Sequence, residues 1–591
     1  MLGLDPQPPK TALHATVTGK LEESDFIVEK FHFQSLPGLY VTANLYLPRP
    51  TDQPVPAILY VCGHSVVKTN GVSFGNKVGY QHHGVGFARN GYACLVLDTV
   101  QLGEIEGIHH GTYREGMWWW NSRGYTSAGA EAWNCIRALD YLESRPEVDA
   151  RRIGVTGRSG GGAYSWWISA LDDRIRAACP VAGMTDLENH VVDGTVEGHC
   201  DCMFHVNTYR WDFDRVAALV APRPLLIGNT DKDTIFPLDG VVRIHERVRR
   251  IYDLHRATDR LGLLITEGPH KDNQDLQVPV LRWFNRFLKH RAPVVKDVGE
   301  PLFTGQQLKV LDRIPSDEIT SRSYEHFPRL APETTTSSHE SLVDTLRHKT
   351  FGGWPEDSTP PQARLLQQSA HTSLGLELSV YEFVSQPGLP LRLYRLLPTQ
   401  SRVDNVVVEI ADSELWNHRM AAMGSNFPRA CEEELKWFPT PTTATTNLAN
   451  LASTLRQSNS ALMLLAPRGV GMTALASDAR FITQTRRRFM LVGQTLAGMQ
   501  VWDVRRGLQA IQALADTRGL PVTLAAPSAM TEVACFAIAL GARAERVELA
   551  HAPRQDKEAP DFLNWSRWVT PARLLDLARA KSTVTLDHSK R

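Results

Sequence analysis

The stretch VTGRSGGG (155–162) holds Ser159 inside a Gly-x-Ser-x-Gly bounded by Gly157 and Gly161. A strand-like run, RIGVTG (152–157), leads in, and a helix-like run, GGAYSWWISAL (161–171), leads out. In that setting the glycines allow a turn too sharp for a Cβ, and the serine hydroxyl projects above a sheet as a nucleophile. The plainer alternative is a glycine-rich turn whose serine only caps the helix. An acid and then a histidine, in that order, separate the two. GNTDKDTIFP (228–237) supplies Asp231 and Asp233 just past an apolar run, and TEGPHKDN (266–273) supplies His270 before a helical stretch. Spacing to Pro237 favours Asp233 as the acid, and spacing from Gly228 favours Asp231. We expect Asp233, with Asp231 as the alternative. His270 would take the Ser159 proton and return it to the leaving group, while the aspartate holds the imidazole tautomer. The oxyanion needs two donors. Gly160 N–H is one, and the loop CGHSVVK (62–68) supplies the other, assigned to His64 N–H.

Two further stretches bear on the substrate. GMWWWNSRGY (116–125) carries Trp118, Trp119 and Trp120. Three consecutive tryptophans cannot all enter a core, and a flat indole face suits a sugar ring, so they are substrate-binding candidates against the commoner fate of hydrophobic packing. GHCDCMFHVN (198–207) gathers His199, Cys200, Asp201 and Cys202. Cys-x-Cys lacks the usual zinc spacing and no second cluster follows, so the expectation is a packed loop lining the pocket, with no metal and no cofactor.

These residues need a scaffold. PAILYVCGH (56–64), YACLVLD (92–98), RIGVTG, RIRAACPVAG (174–183), RPLLIGNTD (223–231) and LGLLITEG (261–268) read as buried strands. Between them AWNCIRALDYLESRPEVD (132–149) and VPVLRWFNRFLKH (278–290) show helical stripes. Alternating strands and helices predict a doubly wound, mostly parallel sheet.

The chain then repeats itself. SLPGLYVTANLYLP (35–48) returns as SQPGLPLRLYRLLP (385–398), with Phe33/Phe383, Pro37/Pro387, Gly38/Gly388 and Pro48/Pro398 at a constant offset of 350. Further on, Trp133/Trp502 and Arg137/Arg506 match at an offset of 369. The repeat therefore spans a domain. Transferring the serine turn lands on Ser528 in AAPSAM (525–530), where Ala526 and Met530 replace the glycines, and no station for the final strand, helix and histidine follows. The second copy is expected to be truncated, degenerate and non-catalytic. The expected domains are 1–298 (catalytic), 299–375 (a Pro/Ser/Thr-rich linker) and 376–591 (the second copy).

Composition narrows the partners. Lys+Arg and Asp+Glu each total 64, so the formal net charge is zero and lacks the cationic surplus that nucleic acid or an anionic membrane demands. No run approaches the roughly 18 apolar residues of a membrane span. The start lacks a secretory signal pattern, which leaves the compartment open. The eight cysteines are scattered and read as buried free thiols. The expected partner is a small-molecule or polysaccharide ester.

On CGHS, Asp98 with Glu104, GRSGGG, DTIFP and GPH, in that order, residues 26–290 resemble the acetyl xylan esterase group of the α/β-hydrolase fold, near the dienelactone-hydrolase and prolyl-oligopeptidase branches. The resemblance implies a serine carboxylic ester hydrolase that removes acyl groups from carbohydrate, with glucuronoyl or methyl-ester hydrolysis, or general small-ester or lactone hydrolysis, as the alternative. Glucuronoyl esterases share the layout but carry Arg and Lys after the serine, where three glycines stand here. A reading of another class is a non-catalytic carbohydrate-binding scaffold.

Overall fold

The computed structural model describes residues 1–591 except 51–52, 334–336, 356–358, 400, 438–446 and 588–591. The chain divides into two compact units, one of residues 1–120 and 124–329, the other of 121–123 and 330–591.

In the first unit nine strands form one sheet: β1 (Thr16–Glu22), β2 (Phe26–Leu36), β3 (Leu39–Pro48), β4 (Val55–Val61), β5 (Ala93–Leu97), β6 (Val148–Arg158), β7 (Ile175–Val181), β8 (Leu225–Thr230) and β9 (Leu261–Thr266). Their spatial order is β1-β2-β3-β5-β4-β6-β7-β8-β9. The first three strands and the β3–β5 pair run antiparallel, and the rest of the sheet is parallel. Strand order and the helices between strands are those of an α/β-hydrolase fold. The central strands are apolar end to end because both faces are covered: ACLVL in β5 is buried at every position. Helices α1 (Gln81–Arg89), α2 (Ser127–Glu143), α3 (Gly160–Leu171), α4 (Leu238–Leu254) and α5 (Gln274–Leu288) supply the cover. Thr126 caps α2, its side chain accepting from Gly129 N–H, and Asn273 caps α5 in the same way through Leu276 N–H.

The second unit holds eight strands: β10 (Arg364–His371), β11 (Leu376–Gln386), β12 (Leu389–Pro398), β13 (Asn405–Ile410), β14 (Ser460–Leu465), β15 (Val522–Ala526), β16 (Arg546–Leu549) and β17 (Thr583–Leu586). Their order is β10-β11-β12-β14-β13-β15-β16-β17, the pattern of the first eight positions in the other sheet. Helices α6 (Leu496–Ala513) and α7 (Thr531–Ala539) stand where α2 and α3 stand.

The correspondence extends to single contacts. Trp133 Nε1 donates to the Ser35 carbonyl at 3.0 Å, and Trp502 Nε1 donates to the Ser385 carbonyl at 3.1 Å. Arg137 donates to the Thr11 carbonyl, and Arg506 to that of Thr359. Thr495 caps α6 as Thr126 caps α2. Both hairpins carry a bulge one turn from the Pro-Gly, between Gln34 and Leu36 and between Val384 and Gln386. Gly38 (φ 77°) and Gly388 (φ 80°) occupy the left-handed position that a Pro-Gly turn requires.

The stretch 299–375, expected as a linker, is divided between the two units and holds short helices, the helix His339–Lys349 and strand β10. Residues up to 329 fold with the first, where Val310 and Leu311 N–H groups bind the Glu104 carboxylate at 2.7 and 2.8 Å. In the second unit His339–Lys349 forms a helix behind the cap Ser338. Positions 334–336 and 356–358 of this stretch lie outside the described residues. Among the described residues no helix is long and apolar enough to cross a membrane.

Candidate active site

Ser159 ends the turn between β6 and α3 with φ 60° and ψ −122°. An L-residue holds that conformation only where its surroundings impose it. Here the glycines make room. A Cβ on Gly157 would lie 2.3 Å from the Val61 carbonyl oxygen, and one on Gly161 would lie 2.0 Å from the same atom. The turn therefore presses against the end of β4, and Gly63 follows closely, its own Cβ position 3.3 Å from Ser159 Cβ. The Gly160 N–H opens α3, so it belongs to the first turn, whose donors have no intrahelical acceptor, at the positive end of the helix dipole.

His270 Nδ1 lies 2.7 Å from Asp233 Oδ2. Asp233 is fully buried, and its other oxygen accepts from the N–H groups of Ile235 and Phe236 at 2.9 and 3.0 Å. Asp231 is exposed and turns away to accept from Gly268 N–H at 2.8 Å. Of the two aspartates, the one against the imidazole is Asp233. Ser159, His270 and His64 line one open cavity holding about 350 Å³ of solvent-accessible space.

His64 extends over the serine turn: a Cβ on Gly160 would come within 2.9 Å of its Cε1. Its ring opens onto the cavity, yet protein atoms crowd it elsewhere. That desolvation, with His109 and His270 nearby, pushes its pKa down to about 3. Burial, with Arg114 beside it, likewise lowers His109 to about 4. Both imidazoles are therefore neutral over the ordinary pH range.

Several residues of the site carried no motif to announce them. Arg158, the variable residue of the turn, donates to the His270 carbonyl at 2.7 Å and ties the histidine loop to the nucleophile turn. Two residues past His270, Asp272 receives His83 Nε2 at 2.6 Å and His82 Nε2 at 3.4 Å. Although burial opposes it, the two imidazoles hold that carboxyl well below the usual range. His109 and His110 line the cavity. The adjacent pairs His82-His83 and His109-His110, each before a glycine, were the available signal.

The three tryptophans stand apart from the cavity around Ser159, and none of them lines it. Trp120 is a core side chain, 1% exposed, packed edge-on to Tyr125 at 4.8 Å, and Trp119 meets Tyr324 at 5.8 Å. Trp118 is half-buried. Tyr125 and the sequence-distant Tyr324 pack against Trp119 and Trp120 and cover surface that a run of three would otherwise expose. The cysteines need a correction: six are buried free thiols, but Cys200 and Cys202 are joined as a disulfide across the turn at Asp201. His199 and Cys200 line the cavity, as expected of that loop.

In the second unit Ser528 is not at positive φ and opens a short 3₁₀ turn after Pro527. It is nevertheless paired. His551 Nε2 lies 3.0 Å from Ser528 Oγ, and His551 Nδ1 faces the Ala552 carbonyl oxygen at 2.7 Å. The sequence reading missed this histidine because it lies beyond β16, a station with no histidine in the first unit.

Residues 15–187 match the family model described as acetyl xylan esterase (AXE1). The match marks the first unit as a carboxylic ester hydrolase of the α/β-hydrolase type. This hydrolase unit is 24% identical over 247 residues to a putative hydrolase, YtaP, of Bacillus subtilis (strain 168), covering 41% of this chain and 81% of that protein. A thiohydrolase, apmlB, of Arthrinium phaeospermum is 26% identical over 155 residues, covering 26% of this chain and 43% of that protein. Among solved structures, the methylesterase BT1017 aligns at 23% identity and a TM-score of 0.38, covering 53% of this chain and 67% of that one. A glucuronoyl esterase from Solibacter usitatus aligns at 18% identity and the same TM-score, covering 47% and 86%.

Proposed function

We propose that the hydrolase unit removes acetyl-type acyl groups from carbohydrate through an acyl-enzyme on Ser159, with His270 as base and Asp233 as its partner. The observation that carries this reading is the left-handed Ser159 at the β6–α3 turn, sharing a cavity with an imidazole whose other nitrogen is held by a buried carboxylate. Ser159 Oγ attacks the ester carbonyl while His270 Nε2 takes its proton. The oxyanion is met by Gly160 N–H and His64 N–H, and Asp233 stabilises the imidazolium. His270 then protonates the departing sugar hydroxyl. A water, deprotonated by the same nitrogen, releases the acyl group as its acid. The acetyl and carbohydrate assignment rests on the family description, with general small-ester hydrolysis as the alternative. We further propose that the second unit is a duplicated hydrolase-like domain that does not run this chemistry.

The test is turnover of p-nitrophenyl acetate and acetylated xylan, together with labelling by a fluorophosphonate. Ser159→Ala and His270→Ala should each lose about 10⁴-fold or more in kcat with the fold retained. A folded Ser159→Ala protein that kept a tenth of the rate would overturn the assignment. Turnover of the small ester without release of acetate from xylan would favour the alternative.

A further inference from the structure

At and beside the cavity stand three groups that ester hydrolysis does not consume. Cys200 precedes and Cys202 lies within the 3₁₀ turn Asp201–Met203, and each sulfur is 3.2 Å from His64 Nε2. The turn is held firmly, because the Asp201 carboxylate accepts from Thr112 N–H at 2.7 Å and from the Thr112 hydroxyl at 2.6 Å. The same segment brings His109 edge-on against the His64 ring, with centroids 4.8 Å apart. Two sulfurs and one imidazole nitrogen thus converge from two separate loops, and the ring of His64 opens onto the cavity.

We propose that His64, Cys200 and Cys202 form a redox-gated site for a soft cation of the zinc(II) class, and that filling it shuts off the hydrolytic cavity below. The disulfide is the closed state, since its sulfurs have no charge to offer a cation. A dithiol reductant opens it. Two electrons enter the S–S bond, two protons pass to the sulfurs, and the reductant leaves as its own disulfide. A zinc ion then binds the two sulfurs as thiolates, releasing two protons, and takes the lone pair of His64 Nε2. Thiolate and imidazole together select soft or borderline cations over calcium or magnesium. Tetrahedral zinc would set nitrogen and sulfur about 3.5 Å apart and the two sulfurs about 3.8 Å apart, from bonds of about 2.3 and 2.0 Å. The nitrogen already stands close to that separation, so only the sulfurs must part, and cleavage of their bond permits it. The fourth position faces the cavity. A cation there draws on the ring that lies over Gly160 and occupies the space above Ser159 that the acyl group needs. This inhibition rests on the esterase reading, whereas the cation site does not.

Cobalt(II) serves as the probe on the full-length chain, oxidised or reduced with a dithiol that is then removed. The reduced chain should take up one cobalt, with thiolate-to-cobalt charge-transfer absorption in the near ultraviolet, and zinc should displace it. The oxidised chain has the same fold and should show no such bands, which provides a control without substitution. Cys200→Ser with Cys202→Ser should remove the bands from the reduced chain. Equal bands in both redox states, no bands after verified reduction, or bands that survive the double substitution would overturn the site. In the same reduced chain zinc should lower p-nitrophenyl acetate turnover about tenfold or more, and a chelator should restore it. Zinc that binds without slowing turnover would overturn the gating. A chain with no turnover in any state would sink the esterase reading, and the cobalt spectrum would still decide the site.

Discussion

At Asp233 the two carboxylate oxygens face different donors, His270 on one side and the Ile235 and Phe236 amides on the other. An amide cannot serve both, because its NH₂ must confront either the imidazole N–H or the backbone donors. Asp233→Asn is therefore expected to drop kcat by about 10⁴, through the wrong imidazole tautomer. Asp231 is exposed and meets a single N–H, which an amide oxygen accepts equally well. Asp231→Asn should leave kcat within about threefold, a change below 1 kcal/mol in the barrier. Steady-state kinetics on the two purified variants check the pair, and the reverse ranking would transfer the role to Asp231. Sequence spacing left both aspartates open, since residues two apart in one turn differ in direction rather than in neighbourhood. The serine turn was plainer to read, because a Cβ on either of its glycines would lie only 2.0–2.3 Å from the end of β4.

The plainest elements to read from sequence were the strands buried on both faces. β4, β5, β7 and β8 announce themselves as apolar runs. The edge strands β1 and β10 did not, because they are mostly exposed and TVTGKLE and RLLQQSAH show no clean alternation. Equally hidden was the buried polar apparatus that holds the loops. Lys77, fully buried, places Nζ 2.7 Å from Asp98 Oδ2, 2.7 Å from Glu104 Oε1 and 2.8 Å from the Phe74 carbonyl, fixing the segment that follows His64. Asp98 and Glu104 thus belong to the framework of the loops, though they entered the sequence reading as part of a family pattern. Near them Glu131, on α2, accepts from Val100 N–H, and burial pushes its pKa up to about 8. A raised carboxyl makes the native state the stronger proton binder, so its penalty grows as pH rises from about 4.5 to about 8 and is constant above. The second unit places Gln500 at the matching station, donating to the Arg468 carbonyl at 2.9 Å. Glu131→Gln should therefore match wild type near pH 4 and gain up to about 1.4 kcal/mol per pH unit across that window. Denaturant melts at several pH values check it, and a constant difference at every pH would refute the assignment.

On the scale of the whole molecule, the two units share the same strand order, helix cap and tryptophan-to-carbonyl bond. Where the first unit stabilises the loop after β5 with Lys77, Asp98 and Glu104, the second uses Arg468 against Asp503, with two contacts of 2.7 and 2.8 Å to the carboxylate and Ser385 Oγ on the same group. What the matching contacts share is the sheet. The serine turns differ, since Ser528 lacks the positive φ of Ser159. Its histidine is held by a neighbouring carbonyl and not by a carboxylate, so an imidazolium there would lack the counter-charge that Asp233 supplies in the first unit. Proximity of hydroxyl and imidazole alone does not make acyl transfer, which also needs donors around the developing oxyanion. Ser528→Ala is thus expected to leave ester turnover unchanged. A fluorophosphonate followed by peptide mapping should modify Ser159 and leave the Ser528 peptide untouched. Modification of Ser528, or residual turnover in Ser159→Ala that disappears on adding Ser528→Ala, would show that the second unit is a working hydrolase with a different dyad.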